Sequence, residues 1–185
     1  MLLMKRKMSQ LLIVDLQDKV FAPIPERKKI TDAAVKLIKA AKSLEIPITV
    51  SEQYPKGLGP TTEAVRAEIG NSAAVFDKVH FSCMRNDRIR LHLEENRDAG
   101  CGQMIISGIE AHVCVTQTAL ASIAEGYEVF VVADGVGSRS QASRDLGLKR
   151  LRQAGAVIVD SEMVIFEWLE QAATPEFKAL QPLIK

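Results

Sequence analysis

The stretch Gln103-Met-Ile-Ile-Ser-Gly108-Ile-Glu-Ala-His-Val-Cys114-Val-Thr-Gln-Thr-Ala-Leu-Ala-Ser-Ile-Ala-Glu125-Gly126 decides the fold. Its first six residues are a short apolar run without polar alternation, the pattern of a strand buried on both faces. Val113 to Glu125 then follows helical spacing, and Gly126 stands where a helix end favours a left-handed residue. The same unit recurs in both directions along the chain. Apolar runs at Gln10–Asp15, Ile48–Glu52, Ala73–Asp77, Glu128–Ala133 and Ala156–Asp160 read as further strands. Between the first two, Ile30, Ala34, Leu37, Ile38, Ala41 and Leu44 form an apolar stripe opposite Lys29, Asp32, Lys36, Lys39 and Lys42, an amphipathic helix. Arg88–Ala99, Gln141–Ala154 and Met163–Gln171 read as helices too. Strand and helix alternating through a whole chain predict an α/β fold with a parallel sheet, right-handed crossovers and helices on both faces.

Ligands in such sheets bind beyond the carboxyl ends of the strands, where strand order reverses. Those ends carry Asp15-Leu-Gln17, Ser51-Glu-Gln-Tyr54, Asp77-Lys78-Val-His80-Phe-Ser82, Gly108 to Cys114, and Ala133 to Arg139. Asp15 ends an apolar strand, where a carboxylate has no packing purpose and can act as a base toward a thiol. Lys78 at the third strand end can hold a thiolate or orient that acid. Cys114 stands near a helix start, whose N–H groups and dipole are expected to lower its pKa. Each also has a bland reading: a turn former or cap, a solvated lysine, and a small buried hydrophobe.

Composition narrows the classes. The 185 residues hold 24 basic and 23 acidic side chains, for a net charge of +1, with 47% hydrophobic residues. One domain over 1–185 is expected, and a chain of this length can build a core without disulfides or structural metal. Near-neutrality supplies no field toward nucleic acid or an anionic membrane, so neither is an expected partner. Three cysteines (Cys83, Cys101, Cys114) without a C-x-x-C pair suggest a reducing compartment, and no window reads as a signal peptide or membrane span. A cytoplasmic location is expected. Residues 1–7 are basic and read as a disordered extension, with Met8 an alternative start. Eleven glycines and seven prolines fall below linker-like composition. Gly57-Leu-Gly59 and Gly135-Val-Gly137 begin like dinucleotide fingerprints but lack the third glycine, so no nucleotide cofactor is expected.

The chain resembles the isochorismatase-like cysteine hydrolases from about Gln10 to Glu167. The resemblance rests on Leu12-Ile-Val-Asp15-Leu-Gln17, on Lys78 followed by Phe81-Ser82, and on Gly108-Ile-Glu-Ala-His-Val-Cys114-Val-Thr-Gln-Thr118. Val132-Ala-Asp134 and Ser138-Arg139-Ser140 match as well, and Glu52 to Thr61 looks most like the subgroup that includes the animal isochorismatase-domain proteins. The resemblance implies a three-layer α/β/α fold with a six-stranded parallel sheet in the order 3-2-1-4-5-6. It also implies a catalytic triad of Asp15, Lys78 and Cys114. A cis peptide would join Ile109 to Glu110, and the N–H groups of Glu110 and Cys114 would form an oxyanion hole while the Glu110 side chain points elsewhere. The implied chemistry is hydrolysis of a small amide or related C–N bond through a covalent thioester, with Asp15 as base and then acid.

Gln17, Tyr54, Phe81 and His112 are candidates to bind the small-molecule substrate, and Arg85 and Arg88 are weaker ones. Cys83 and Cys101 are assigned to packing or surface. The region after the second strand, Ser51-Glu-Gln-Tyr54, lacks the Asp-x-His motif by which nicotinamidases of this family hold a metal. The three histidines, His80, His92 and His112, have no i, i+4 spacing, so no metal is expected. Two other functions remain in view: vinyl ether hydrolysis with Asp15 as the acid, and a non-catalytic binding or scaffold role. Homo-oligomers are usual in the family, and the apolar stripe Val164, Ile165, Trp168 and Leu169, with Phe177, Leu180, Leu183 and Ile184 beyond it, suits either a subunit contact or ordinary packing.

Overall fold

Leu11, Leu12, Ile13 and Val14 lack polar alternation because both faces of their strand are covered. Leu11 and Ile13 belong to one apolar core, and Leu12 and Val14 to the other. A strand's period of two sends successive side chains to opposite faces, so a run apolar at every position must sit inside a sheet. In the computed structural model, which describes residues 3–184, this strand is β1 (Ser9–Val14). It lies between β2 (Ile48–Gln53) and β4 (Gln103–Ile109). With β3 (Ala73–Lys78), β5 (Glu128–Gly137) and β6 (Val157–Val159), the sheet is parallel with order β3-β2-β1-β4-β5-β6.

The helices are α1 (Asp18–Phe21), α2 (Arg27–Ser43), α3 (Pro55–Leu58), α4 (Glu63–Ile69), α5 (Asp87–Asp98), α6 (Thr116–Ala124), α7 (Gln141–Gln153), α8 (Ser161–Leu169) and α9 (Pro175–Leu180). Residues of α2, α4, α8 and α9 share the core on one face, and residues of α5, α6 and α7 the core on the other. The expected three-layer architecture and strand order are those observed. The short helices α1, α3 and α4 fall where no periodic segment was read, because four to seven residues are too few to display a helical stripe.

Two features bring β1 and β4 together at the carboxyl edge. Val14 pairs with Gly108, and a Cβ at Gly108 would collide with the Val14 backbone. Gly108 also has φ +129, which a side chain would strain. One residue on, Asp15 adopts φ 53, a left-handed conformation uncommon outside glycine and found at functional turns.

Residues 1–7 are not a disordered extension over their described part. Met4 is fully buried, its N–H donates to Glu167 Oε2 at 2.7 Å, and the Lys5 N–H donates to Gln103 Oε1 at 2.7 Å. The apolar Met4 side chain joins the core and outweighs the solvating charges beside it. Met1 and Leu2 lie outside the described residues. The C-terminal stripe is likewise internal: Val164, Ile165, Trp168, Leu169 and Leu180 are buried, with Phe177, Leu183 and Ile184 packed against them. Among the described residues no helix is long and apolar enough to cross a membrane.

Candidate active site

Three strand ends converge at the carboxyl edge. From the end of β1 the Asp15 carboxylate accepts two short hydrogen bonds, from Ser51 Oγ of β2 to Oδ1 and from Lys78 Nζ of β3 to Oδ2, both 2.7 Å. Lys78 Nζ also donates to Gln53 Oε1 at 2.6 Å. Asp15 and Lys78 are both 2% exposed, so neither charge is satisfied by bulk water. A lone buried ion is expensive, and its pairing with hydrogen bonds to the remaining sites makes it tolerable. The third candidate, Cys114, is 8% exposed, with its thiol near enough to Asp15 and Lys78 for both charges to act on it.

Cys114 enters from a local irregularity of the helix. Ala111–Val115 form one π-helical turn before α6, in which the N–H groups of Val113 and Val115 both donate to Glu110 O, at 3.0 and 3.2 Å. Such turns recur at functional sites. The peptide joining Ile109 to Glu110 is cis. The Glu110 side chain is directed to Arg139, accepting its backbone N–H at 2.9 Å and its Nε at 3.1 Å. Helix α7 packs against this turn through Gly147, where a Cβ would stand 3.0 Å from the His112 Cα.

The electrostatics define the resting protonation. Burial raises the Asp15 carboxyl above its usual 3.8, against the pull of Lys78, Ser51 and Cys114. Burial works most strongly against the Lys78 ammonium, but the Asp15 carboxylate together with the Cys83 and Cys114 sulfurs holds Lys78 above 10.5. The Cys114 thiol is pushed up to about 12, first by burial and then by the neighbouring carboxylate, with Lys78 opposing. This corrects the expectation of a depressed thiol: desolvation and the adjacent anion both disfavour the thiolate. The resting site is therefore a neutral thiol facing a carboxylate more basic than an exposed aspartate, with an ammonium alongside. It can pass the thiol proton to Asp15 as sulfur attacks an electrophile.

The other candidates fare differently. Gln17 is fully buried, and its amide is spent inside the protein: Nε2 donates to Gln53 O at 3.0 Å and Gly59 O at 2.6 Å, while Oε1 accepts the Gln53 N–H at 2.6 Å. It is a strut beneath the residue that holds Lys78, not a substrate contact; both its N–H groups are used. Tyr54 and Phe81 are 53% and 54% exposed, so they do not wall an enclosed pocket. The Tyr54 ring lies over Gly57, and its backbone N–H donates to Lys78 O at 2.8 Å. His112 is half-buried, two residues before Cys114, with Nδ1 2.9 Å from Ser138 Oγ. Arg85 is exposed, and Arg88 pairs with Asp77 at 3.4 Å on the surface. Cys101 is half-buried near Lys7 O.

Ser51 and Gln53 contact Asp15 and Lys78 without having been singled out from the sequence. Ser51 is a polar residue inside a buried strand, which obliges it to find a partner, and that was a readable signal. Cys83 is fully buried in the core, as the packing assignment expected, near Asp15 and Lys78, and its backbone N–H donates to Thr118 Oγ1 at 3.0 Å. Among the described residues, no group of three or more His, Cys, Asp or Glu side chains is arranged to hold a metal ion.

A family model described as the isochorismatase domain matches residues 9–163. Isochorismatase domain-containing protein 2 of Xenopus laevis is 37% identical over 176 residues, spanning 95% of this chain and 83% of that protein. The structure of MAR1 ribonuclease from Caenorhabditis elegans matches with a TM-score of 0.91 at 37% identity, covering 99% of this chain and 92% of that one. The YcaC gene product of Escherichia coli, described as an octameric hydrolase of unknown specificity, shares the fold with a TM-score of 0.89 at 23% identity, covering 99% and 91% of the two chains.

Proposed function

The chain belongs to the isochorismatase family, and from that membership we propose that it is a metal-independent cysteine hydrolase that cleaves a small amide or related C–N bond. The observation that carries the reading is the buried Asp15–Lys78 ion pair at 2.7 Å, with the Cys114 thiol, 8% exposed, within reach of both charges. Asp15 accepts the thiol proton as Sγ attacks the carbonyl carbon. The N–H groups of Glu110 and Cys114 serve as donors to the oxyanion. Asp15 returns the proton to the leaving amine, and the same carboxylate then takes a proton from the water that splits the thioester. Lys78 keeps the carboxylate placed, compensating its charge at rest and the sulfur's charge once the proton has moved to Asp15.

This reading is tested by incubating the protein with a panel of small amides and recording intact mass. An acyl adduct that maps to Cys114 and is absent from Cys114→Ala supports it. Turnover that survives Cys114→Ala but not Asp15→Asn favours acid-catalysed ether hydrolysis instead. The C. elegans relative's description as a ribonuclease makes RNA a further substrate to include. A net charge of +1 and a nucleophile only 8% exposed favour a small substrate.

A further inference from the structure

Lys78 has to be held in place as well as neutralised. Its ammonium is a compact charge at the end of a flexible four-carbon stem, and a single hydrogen bond leaves it free to swing. Here it has two acceptors, Asp15 Oδ2 at 2.7 Å and Gln53 Oε1 at 2.6 Å. Asp15 is its one ion-pair partner among the described residues. The second acceptor is neutral and comes from β2, where Gln53 stands beside Lys78 in the register of the sheet.

The Gln53 amide can point only one way. Its Nε2 donates to Val79 O at 2.8 Å, so turning the amide over would set its oxygen against that carbonyl and its N–H groups against the ammonium. The Gln53 backbone is fixed as well. β1 follows β2 only as far as the pair Val14–Ser51 and then turns away at Asp15, with φ 53. The Gln17 side chain takes the place of the departed strand: its Oε1 accepts the Gln53 N–H at 2.6 Å and its Nε2 donates to Gln53 O at 3.0 Å. The Tyr54 N–H then donates to Lys78 O at 2.8 Å. Lys78 is thus held at its carbonyl and at its ammonium by two consecutive residues.

We propose that Gln53 is a positioning residue: its side-chain oxygen tethers the Lys78 ammonium against Asp15 and so keeps that carboxylate placed to take the Cys114 proton. This rests on Asp15 acting as the base. The charged and titratable groups that act on Lys78 are Asp15 from the end of β1, Cys83 from the segment after β3 and Cys114 from the π-helical turn. The carboxylate next to Gln53 in sequence, Glu52, is turned to Thr61, whose N–H and Oγ1 donate to it at 2.6 and 2.8 Å. Gln53 adds no charge, so it acts by deciding where the ammonium sits.

The test uses p-nitrophenyl acetate as an acyl donor, with nitrophenolate release and the peptide mass of acetylated Cys114 as readouts from pH 4 to 8. Gln53→Met keeps the length and removes the acceptor. Acetylation per folded molecule should slow roughly 3- to 30-fold, part of the worth of one hydrogen bond to a charged group. The acidic limb should move to higher pH, because Lys78 leads the groups that pull the Asp15 carboxyl down against burial and a loosened ammonium pulls less. Gln53→Asn keeps the amide but falls one methylene short of Lys78. It should shift rate and limb in the same directions, and it serves if Gln53→Met does not fold.

An unmoved limb in the Gln53 variants, or one moved to lower pH, overturns the proposal. So does a lowered melting temperature with an unchanged rate per folded molecule, which is the signature of packing alone. A raised KM with kcat and limb unchanged overturns it too, by assigning Gln53 to substrate contact. Asp15→Asn separates this failure from that of the proposed mechanism. If it acetylates at the parent rate, the base assignment falls and the tether's role with it. If it is slowed while the Gln53 variants keep rate and limb, only the role of Gln53 falls.

Discussion

The two edges of the sheet both bury polar side chains, and they differ in charge and in spare bonding capacity. At the amino edge, Ser9 Oγ accepts from Trp168 Nε1 at 2.9 Å and donates to Lys5 O at 2.8 Å. Gln10 donates to Leu93 O and Cys101 O and accepts from Asn96, and Gln103 is bonded to Leu3, Lys5 and Glu128. These groups are mostly neutral, and each bond ties one segment of chain to another. At the carboxyl edge an ion pair, two thiols and a hydroxyl share one small volume, and the thiol proton has a basic acceptor within reach. Buried polarity alone therefore marks neither edge as a site. Ionised groups kept from water, beside a transferable proton, distinguish the carboxyl edge.

Substitutions can break this contrast, beginning with the largest effect. Asp15→Asn keeps the shape and removes the base, so Cys114 acylation should fall about 10²- to 10⁴-fold in nitrophenolate release. Lys78→Met leaves the Asp15 charge buried and unpaired and should cost about 3–5 kcal/mol in urea denaturation, as well as acylation. On the amino edge, Ser9→Ala orphans the Trp168 N–H and should cost about 1–3 kcal/mol. Acylation per folded molecule should be unchanged there. A rate loss in Ser9→Ala comparable to that in Asp15→Asn would erase the distinction between the edges.

The pH response sharpens the same comparison. Because burial lifts the Asp15 carboxyl above 3.8, the folded protein holds that proton at pH values where the unfolded chain has released it. The folded state binds more protons across that window, so this group's contribution to stability falls as pH rises from 3.8 through the folded value. Acylation should rise over the same window as the base ionises. Denaturation midpoints and acylation rates measured in parallel should run in opposite directions for the parent, and Asp15→Asn should remove both trends. With the thiol at about 12, acylation should show no break near the ordinary thiol pKa of 9.

The inner strands and long helices were legible because burial on both faces removes polar alternation and a long helix displays its stripe, whereas the edge strand β3, expected to be buried, is half-exposed. Asp15, Lys78 and Cys114 were legible as chemistry-bearing residues stranded at strand ends, and the family resemblance joined them. Gln17 was misread. Its place two residues past Asp15 suggested a ligand contact, but the bonds to Gln53 and Gly59 that consume its amide come from residues 36 and 42 positions away. Cys83 is packed in the core as expected; that it lies near Asp15 was not legible, because the two residues come from segments far apart in sequence.

The sequence by itself determined the α/β alternation, the parallel sheet and the edge that carries the reactive groups. These follow from periodicity and from the geometric rules of crossover connections, which act locally along the chain. The tertiary structure alone decided the protonation and partners of those groups. The Cys114 thiol is raised rather than lowered, Gln17 is a strut, and Cys83 is a neighbour of the base. Desolvation and hydrogen-bond direction depend on what surrounds a side chain in three dimensions, and those surroundings are assembled from segments that the linear order keeps apart.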